Sequence, residues 1–190
     1  YHCASPHVPT HISNGMYGLI LIEPEQGLPE VDNEFYIMQG ELYTDRMPHS
    51  AGHQGLDSEA MFEENPTYVL FNGMFHGLTG ENAMNANVND TVRIYFGVGG
   101  PNLISSFHVI GEIFDRVYSQ GDLISIPAQS VQTTVVGTGA ATVVEFQLDV
   151  PGSYLLVDHS LTRVFDKGAL AIISATGSID TEIYDADADV

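Results

Sequence analysis

The sequence of 190 residues has no tryptophan, a single cysteine and only five Lys and Arg against 25 Asp and Glu. Each scarcity excludes something. Without Trp, an aromatic core has to come from the nine Phe and nine Tyr. With one Cys, no disulfide can close within the chain. A formal net charge of −20 repels phosphate backbones and anionic lipid, so nucleic acid is not an expected partner. No apolar run is long enough to span a bilayer as a helix, so no transmembrane segment is expected. An anionic substrate would be repelled in bulk, so a site for one must create its own positive charge.

Such a charge can mark disorder. Here hydrophobic residues make up 44 % of the chain, enough for a packed core, and Val, Ile, Phe and Tyr are abundant. A folded protein adapted to high salt is the reading, with a halophile as the expected source. Tyr1-His2-Cys3 reads as the middle of a strand. The expectation is therefore of a truncated N-terminus, and a leader upstream of it is left open.

Short apolar segments recur between Gly, Asn and Pro clusters. Strands are expected at Glu34–Leu42, Tyr68–Phe71, Thr91–Phe96, Ser105–Val109, Val131–Val136, Ala141–Leu148, Ser153–Val157 and Ala169–Ser174, with a helical turn at Ser58–Glu64. That rhythm predicts an all-β sandwich. Pro24 to Pro29 is a linker candidate. The predicted organisation is a ligand-rich loop, a buried strand (Tyr17–Glu23) and the linker in 1–30, a complete domain in 31–177, and an acidic tail in 178–190. A short internal similarity, His2-Cys3 to Gly15-Met16 against Asp158-His159 to Gly168, suggests a duplicated sandwich.

The chemistry is concentrated at the start. Cys3, His11 and Met16 form a Cys-x7-His-x4-Met pattern. A blue (type 1) copper centre needs a thiolate, two imidazoles and a weak axial thioether, and one loop between two strands can supply three of these. Gly15 permits the turn back, and Leu19 to Ile22 is expected to wall the metal. A buried thiol with a core Met is the bland reading of each residue alone. Adjacent strand residues face opposite ways, so with Cys3 facing its own copper, His2 faces outward, towards a second metal. Ala4 follows Cys3, whereas multicopper oxidases flank the cysteine with His on both sides.

At this point Tyr1-His2-Cys3-Ala4, the run from His11 through Met16 to Pro24, Asn72-Gly73, the run from Gly99 through His108 to Asp115, and Leu156-Val157-Asp158-His159-Ser160 resemble the copper-containing nitrite reductases, in their shorter-loop branch. The likeness implies a cupredoxin-like Greek-key β-sandwich: one complete domain, preceded by the last strands of another. It implies copper of two types, with Cys3, His11 and Met16 as type 1 ligands and His2 and His159 as type 2 ligands. It makes His108 the active-site histidine and Ile110 the apolar residue over the copper. It implies one-electron reduction of nitrite to nitric oxide, electrons from a small redox protein (a cupredoxin or c-type cytochrome), a homotrimer with type 2 copper between subunits, and an extracytoplasmic location. The family's first type 1 His, first type 2 His and catalytic Asp have no counterpart here. His49, His53 and His76 read as exposed loop residues and His7 as a rim residue. The alternatives are an electron-transfer cupredoxin without catalysis, a multicopper oxidase-like protein, and an inactive partial product.

Because the Debye length falls from about 10 Å at 0.1 M salt to about 3 Å at 1 M, self-repulsion should be relieved by KCl. The melting temperature is expected to rise by several degrees over that range. A melting temperature as high in dilute buffer would overturn the high-salt reading.

Overall fold

The computed structural model describes residues 1–183 and 185. Eleven strands make two sheets: β1 (Asn33–Leu42), β2 (Tyr68–Phe71), β3 (Met84–Asn87), β4 (Thr91–Gly100), β5 (Ser105–Ile110), β6 (Phe114–Tyr118), β7 (Ala128–Val131), β8 (Thr133–Val136), β9 (Ala141–Gln147), β10 (Gly152–Asp158) and β11 (Leu170–Thr176). One sheet has the order β2-β1-β4-β9-β6-β7, the other β3-β11-β10-β5-β8. The pairs β1–β4 and β3–β11 are parallel and the others antiparallel. Three short helices sit in connections: α1 (Val8–Ile12), α2 (Ser58–Phe62) and α3 (Thr162–Phe165). No helix among the described residues is long and apolar enough to cross a membrane.

The Phe residues do the work that a Trp or a disulfide does elsewhere. Phe96 of β4 stacks on Phe107 of β5 at 4.0 Å between ring centroids. Phe114 continues the stack at 5.9 Å, and Phe71 meets Phe96 edge-on. These rings are fully buried and join the two sheets.

The strand expectations hold with three differences. Val131–Val136 takes in the last residue of β7 and all of β8, which belong to opposite sheets. The strands β3 and β6 were not foreseen; the Asp115-Arg116 pair breaks the apolar alternation of β6. The third difference is a correction: Tyr17–Glu23 is not a buried strand. Only Tyr17 is bridged, to His2, and Ile20 and Ile22 are 69 % and 82 % exposed. Backbone pairing links Tyr1 with Gly18 and Cys3 with Met16 and then runs out. The segment beyond lies across the outer face of β1, β4 and β9, enclosing with Tyr36, Tyr95 and Val143 a cavity of about 480 Å³. Part of the expected acidic tail lies outside the described residues; 178–183 carry no helix or strand.

Glycines seat this opening segment. The Tyr17 ring lies where a Cβ on Gly40 or Gly99 would have to be. The first eighteen residues are thereby keyed into β1 and β4.

Replacing Phe107 with Ala removes the central ring of the column. It is expected to cost about 3–5 kcal/mol, measured as a shift of the urea unfolding midpoint. A loss below about 1 kcal/mol would show that the column is not what holds the sheets together.

Candidate metal centre

The opening loop brings two of its three expected ligands together. Cys3 Sγ lies 3.1 Å from His11 Nδ1. Helix α1 makes this possible: Pro near its start suits the first helical turn, and its single turn swings His11 back over Cys3. Ile12 and Ser13 anchor it by burial, with Ser13 Oγ against Met61 Sδ. Met16 is held through its backbone. Its N–H donates to His11 O and its carbonyl accepts from Cys3 N–H, while its side chain is 54 % exposed.

The thiol is activated. The Ser5 backbone N–H and the His11 ring lower the Cys3 pKa from 9.0 to about 7. Sulfur and imidazole nitrogen bound to one metal at about 2.3 and 2.0 Å sit on the order of 3.5 Å apart. The observed spacing fits that need, and a thiolate, an imidazole and a nearby thioether suit a soft metal. The expected apolar wall is corrected: Ile20, Leu21 and Ile22 are exposed and border the cavity over Tyr36, Tyr95 and Val143.

His2 faces the other way from Cys3. It borders a cavity of about 240 Å³ with Gly18, Gly99, Gly139 and Ala140. Its Nδ1 lies 2.8 Å from Cys3 O. A carbonyl only accepts, so Nδ1 carries the proton and Nε2 is left with a free lone pair. Metal-ligating imidazoles show this arrangement, with the outer nitrogen donating to a fixed oxygen.

A second pair forms elsewhere. The rings of His108 and His159 are 5.2 Å apart, edge to face. Val157 of β10 is directly opposite His108 of β5, so His159, two residues on, is its diagonal neighbour on the same face. His108 is almost fully buried, with Nδ1 donating to Gln132 O at 2.7 Å. Its Nε2 is the ring nitrogen not used in that bond. Ile110 follows on the same face, 42 % exposed.

The two pairs are not joined within the chain. Among the described residues no group of three or more His, Cys, Asp or Glu could hold a metal ion. The remaining histidines fall mostly as expected. His7 and His53 are exposed. His49 is exposed too, though its ring meets Tyr68 and Phe75 edge-on. His76 is a correction: it is half-buried, its Nε2 on Val164 O, because Phe75 carries its loop inward.

Sequence reasoning missed Glu112. It lines the same cavity as His108, about 730 Å³. Burial, with Asp149 and Asp115 nearby, pushes its carboxyl up to about 7. Asp115 is close to Glu112 in sequence, but Asp149 and the burial are tertiary and had no signal.

No protein-family model matches the chain. A copper-containing nitrite reductase of Neisseria meningitidis is 52 % identical over 96 % of this chain and 47 % of its own length. This chain is a homologue of the copper-containing nitrite reductases. It spans about half the length of the curated relatives that it matches. The solved copper nitrite reductase of Nitrosomonas europaea superposes with a TM-score of 0.80 at 34 % identity, over 95 % of this chain and 62 % of that one. A multicopper oxidase structure at 22 % identity and TM-score 0.76, over 93 % of this chain and 55 % of that one, shares the cupredoxin fold alone. The nitrite reductase likeness thus extends over nearly all of the chain.

The Cys3 thiolate should form with a midpoint near pH 7, read by its ultraviolet absorbance or by alkylation rate. The lowered value means thiolate predominates above the midpoint and is lost below it. His11→Ala should move the midpoint part of the way back up, since the Ser5 N–H remains. A wild-type midpoint at the ordinary thiol value would refute the arrangement.

Proposed function

We propose that this chain is part of a copper-dependent nitrite reductase that converts nitrite to nitric oxide. The observation that carries the reading is the back-to-back pair at the start: Cys3 against His11 on one side, His2 with a free Nε2 on the other. An electron-transfer cupredoxin accounts for Cys3, His11 and Met16, but gives His2, His108 and His159 nothing to do together. The 52 % identity to a nitrite reductase supports the two-centre reading over that alternative.

In this proposal Cys3, His11 and Met16 hold a type 1 copper, and His2 and His159 belong to type 2 sites. Copper, when bound, supplies a one-electron carrier at the first site and a positively charged anion site at the second. The chain's own residues do the rest. Cys3 and His2 are covalently adjacent and present their side chains to opposite sides, which gives the electron a short through-bond route. His108, fixed by the Gln132 carbonyl, presents Nε2 for proton delivery. Glu112 holds a further proton near neutrality in the same cavity. Ile110 restricts how a small anion lies beside His159.

The ligands lacking here come from elsewhere: the other half of the relatives' length and, for type 2 copper, a neighbouring subunit. That is the sense in which residues 1–30 are the end of one cupredoxin domain and 31–177 a second. A homotrimer, a small redox protein as donor and an extracytoplasmic location complete the proposal.

In a protein carrying this chain with the half that its relatives possess beyond it, His159→Ala should lower nitrite turnover by more than about 100-fold, the upper range for removing a mere outer partner of a metal ligand. Type 1 absorption should be unchanged. Unimpaired turnover would overturn the assignment of His159.

A further inference from the structure

We infer that Asp158, locked by Arg163 and Gln39, is the positioning residue that sets His159 against His108. The inference rests on the reading of those two histidines given above, but its geometry stands apart from any metal.

Asp158 is completely buried and ends β10. Its position is opposite Phe107, on the core-facing side of β5. An ionised carboxylate there has to be fully paired, and it is. Oδ1 accepts from the backbone N–H of Ser106 and of Ser160, both at 3.1 Å. Oδ2 accepts from Arg163 Nη1 at 2.8 Å and from Gln39 Nε2 at 3.2 Å. Four pieces of the chain meet on this one group: β1, β5, the turn after β10, and α3.

The hydrogen bonds fix His159 in particular. Its neighbours on both sides are tied down, Asp158 by its own carboxylate and Ser160 by donating to it. His159 N–H in turn donates to Ser106 O at 2.8 Å. Ser106 is therefore gripped at both its N–H and its carbonyl. The strand pairing is extended one residue past the end of β10. Only with that extension does His159 stay on the same face as His108, two residues along β5 from Ser106. Without it, the turn into α3 is free to rotate the ring away.

Gln39 is a second buried polar group committed to Asp158. Its Oε1 is buried and has no hydrogen-bond partner among the described residues. A core position that retains such an atom is giving up stability, and what it holds in return is the amide contact to Asp158. Arg163 is likewise committed inward, its Nη1 shared between Asp158 and the Ile104 carbonyl.

The test uses the 190-residue chain with 13C,15N-labelled histidine, free of metal. The readout is the proton Overhauser cross-peak between the His108 and His159 rings, with circular dichroism reporting the fold. Arg163→Ala should stay folded and weaken the cross-peak severalfold, and Arg163→Lys should restore it. Asp158→Asn keeps the shape but offers an amide N–H₂ to donors, and should weaken it too; it decides the matter if Arg163→Ala does not fold. An undiminished cross-peak in a folded variant overturns the inference, since a purely structural role would lower the melting temperature alone. The His159→Ala test in the longer protein separates the two readings. Loss of the cross-peak in the variants, together with unimpaired nitrite turnover in His159→Ala, would leave the positioning role standing and remove the metal role.

Discussion

The two faces of β5 carry opposite duties, and the rest of the molecule is arranged around that alternation. Phe107 points inward and stacks on Phe96, closing the sandwich. His108, the next residue, points outward and meets His159. A slip of one residue would exchange the two and destroy both. The aromatic column therefore does more than stabilise: it fixes the register that puts an imidazole at the site. Asp158 performs the same service for β10, on the inner face, one residue before His159.

Electrostatics follow from how few cations there are. Arg93 is buried between Glu34 and Glu145 and also donates to the Pro29 carbonyl. Arg116 pairs with Glu145 and Arg163 with Asp158. Lys167 donates to the Pro66 carbonyl at 2.5 Å, and burial and Arg163 lower its pKa. Most of the five cations thus act inside the fold, while Glu41, Glu145 and Asp158 are the buried acids and the other described ones lie at or near the surface. Nothing on such a surface draws an anion inward. This is why the proposed site needs a metal, and why the field around it must be local.

Much of the fold was legible because period-two patterning is a local signal. The strands β1, β2, β4, β5, β9, β10 and β11 were visible as apolar alternation or short apolar runs between turn residues. The crossing from β7 to β8 was not, since Val and Thr favour any sheet equally and only tertiary packing decides which. The apolar run after Tyr17 was misread for the complementary reason: hydrophobicity says that a segment wants cover, not that this chain supplies it. The copper loop and the two outer histidines were read from motif and resemblance; the structure sets Cys3 beside His11 and His108 beside His159, and their copper roles are the proposal made from that. Glu112, Asp158 and Gln39 carried no such signal. A buried polar residue looks like a surface one until its partners, distant in sequence, are known.

The seat of Tyr17 on Gly40 and Gly99 has a consequence for loop length. The ring is located by backbone that has no room for a side chain, so the spacing from Tyr17 back to Met16 and Cys3 is anchored at one end. An insertion between Cys3 and His11 would bulge into solvent and leave the seat undisturbed. An insertion between Met16 and Tyr17 would carry the sulfur away from the ring's anchor. The fold thus tolerates added length on the outer side of the loop, between Cys3 and His11, and not on the inner side, between Met16 and Tyr17.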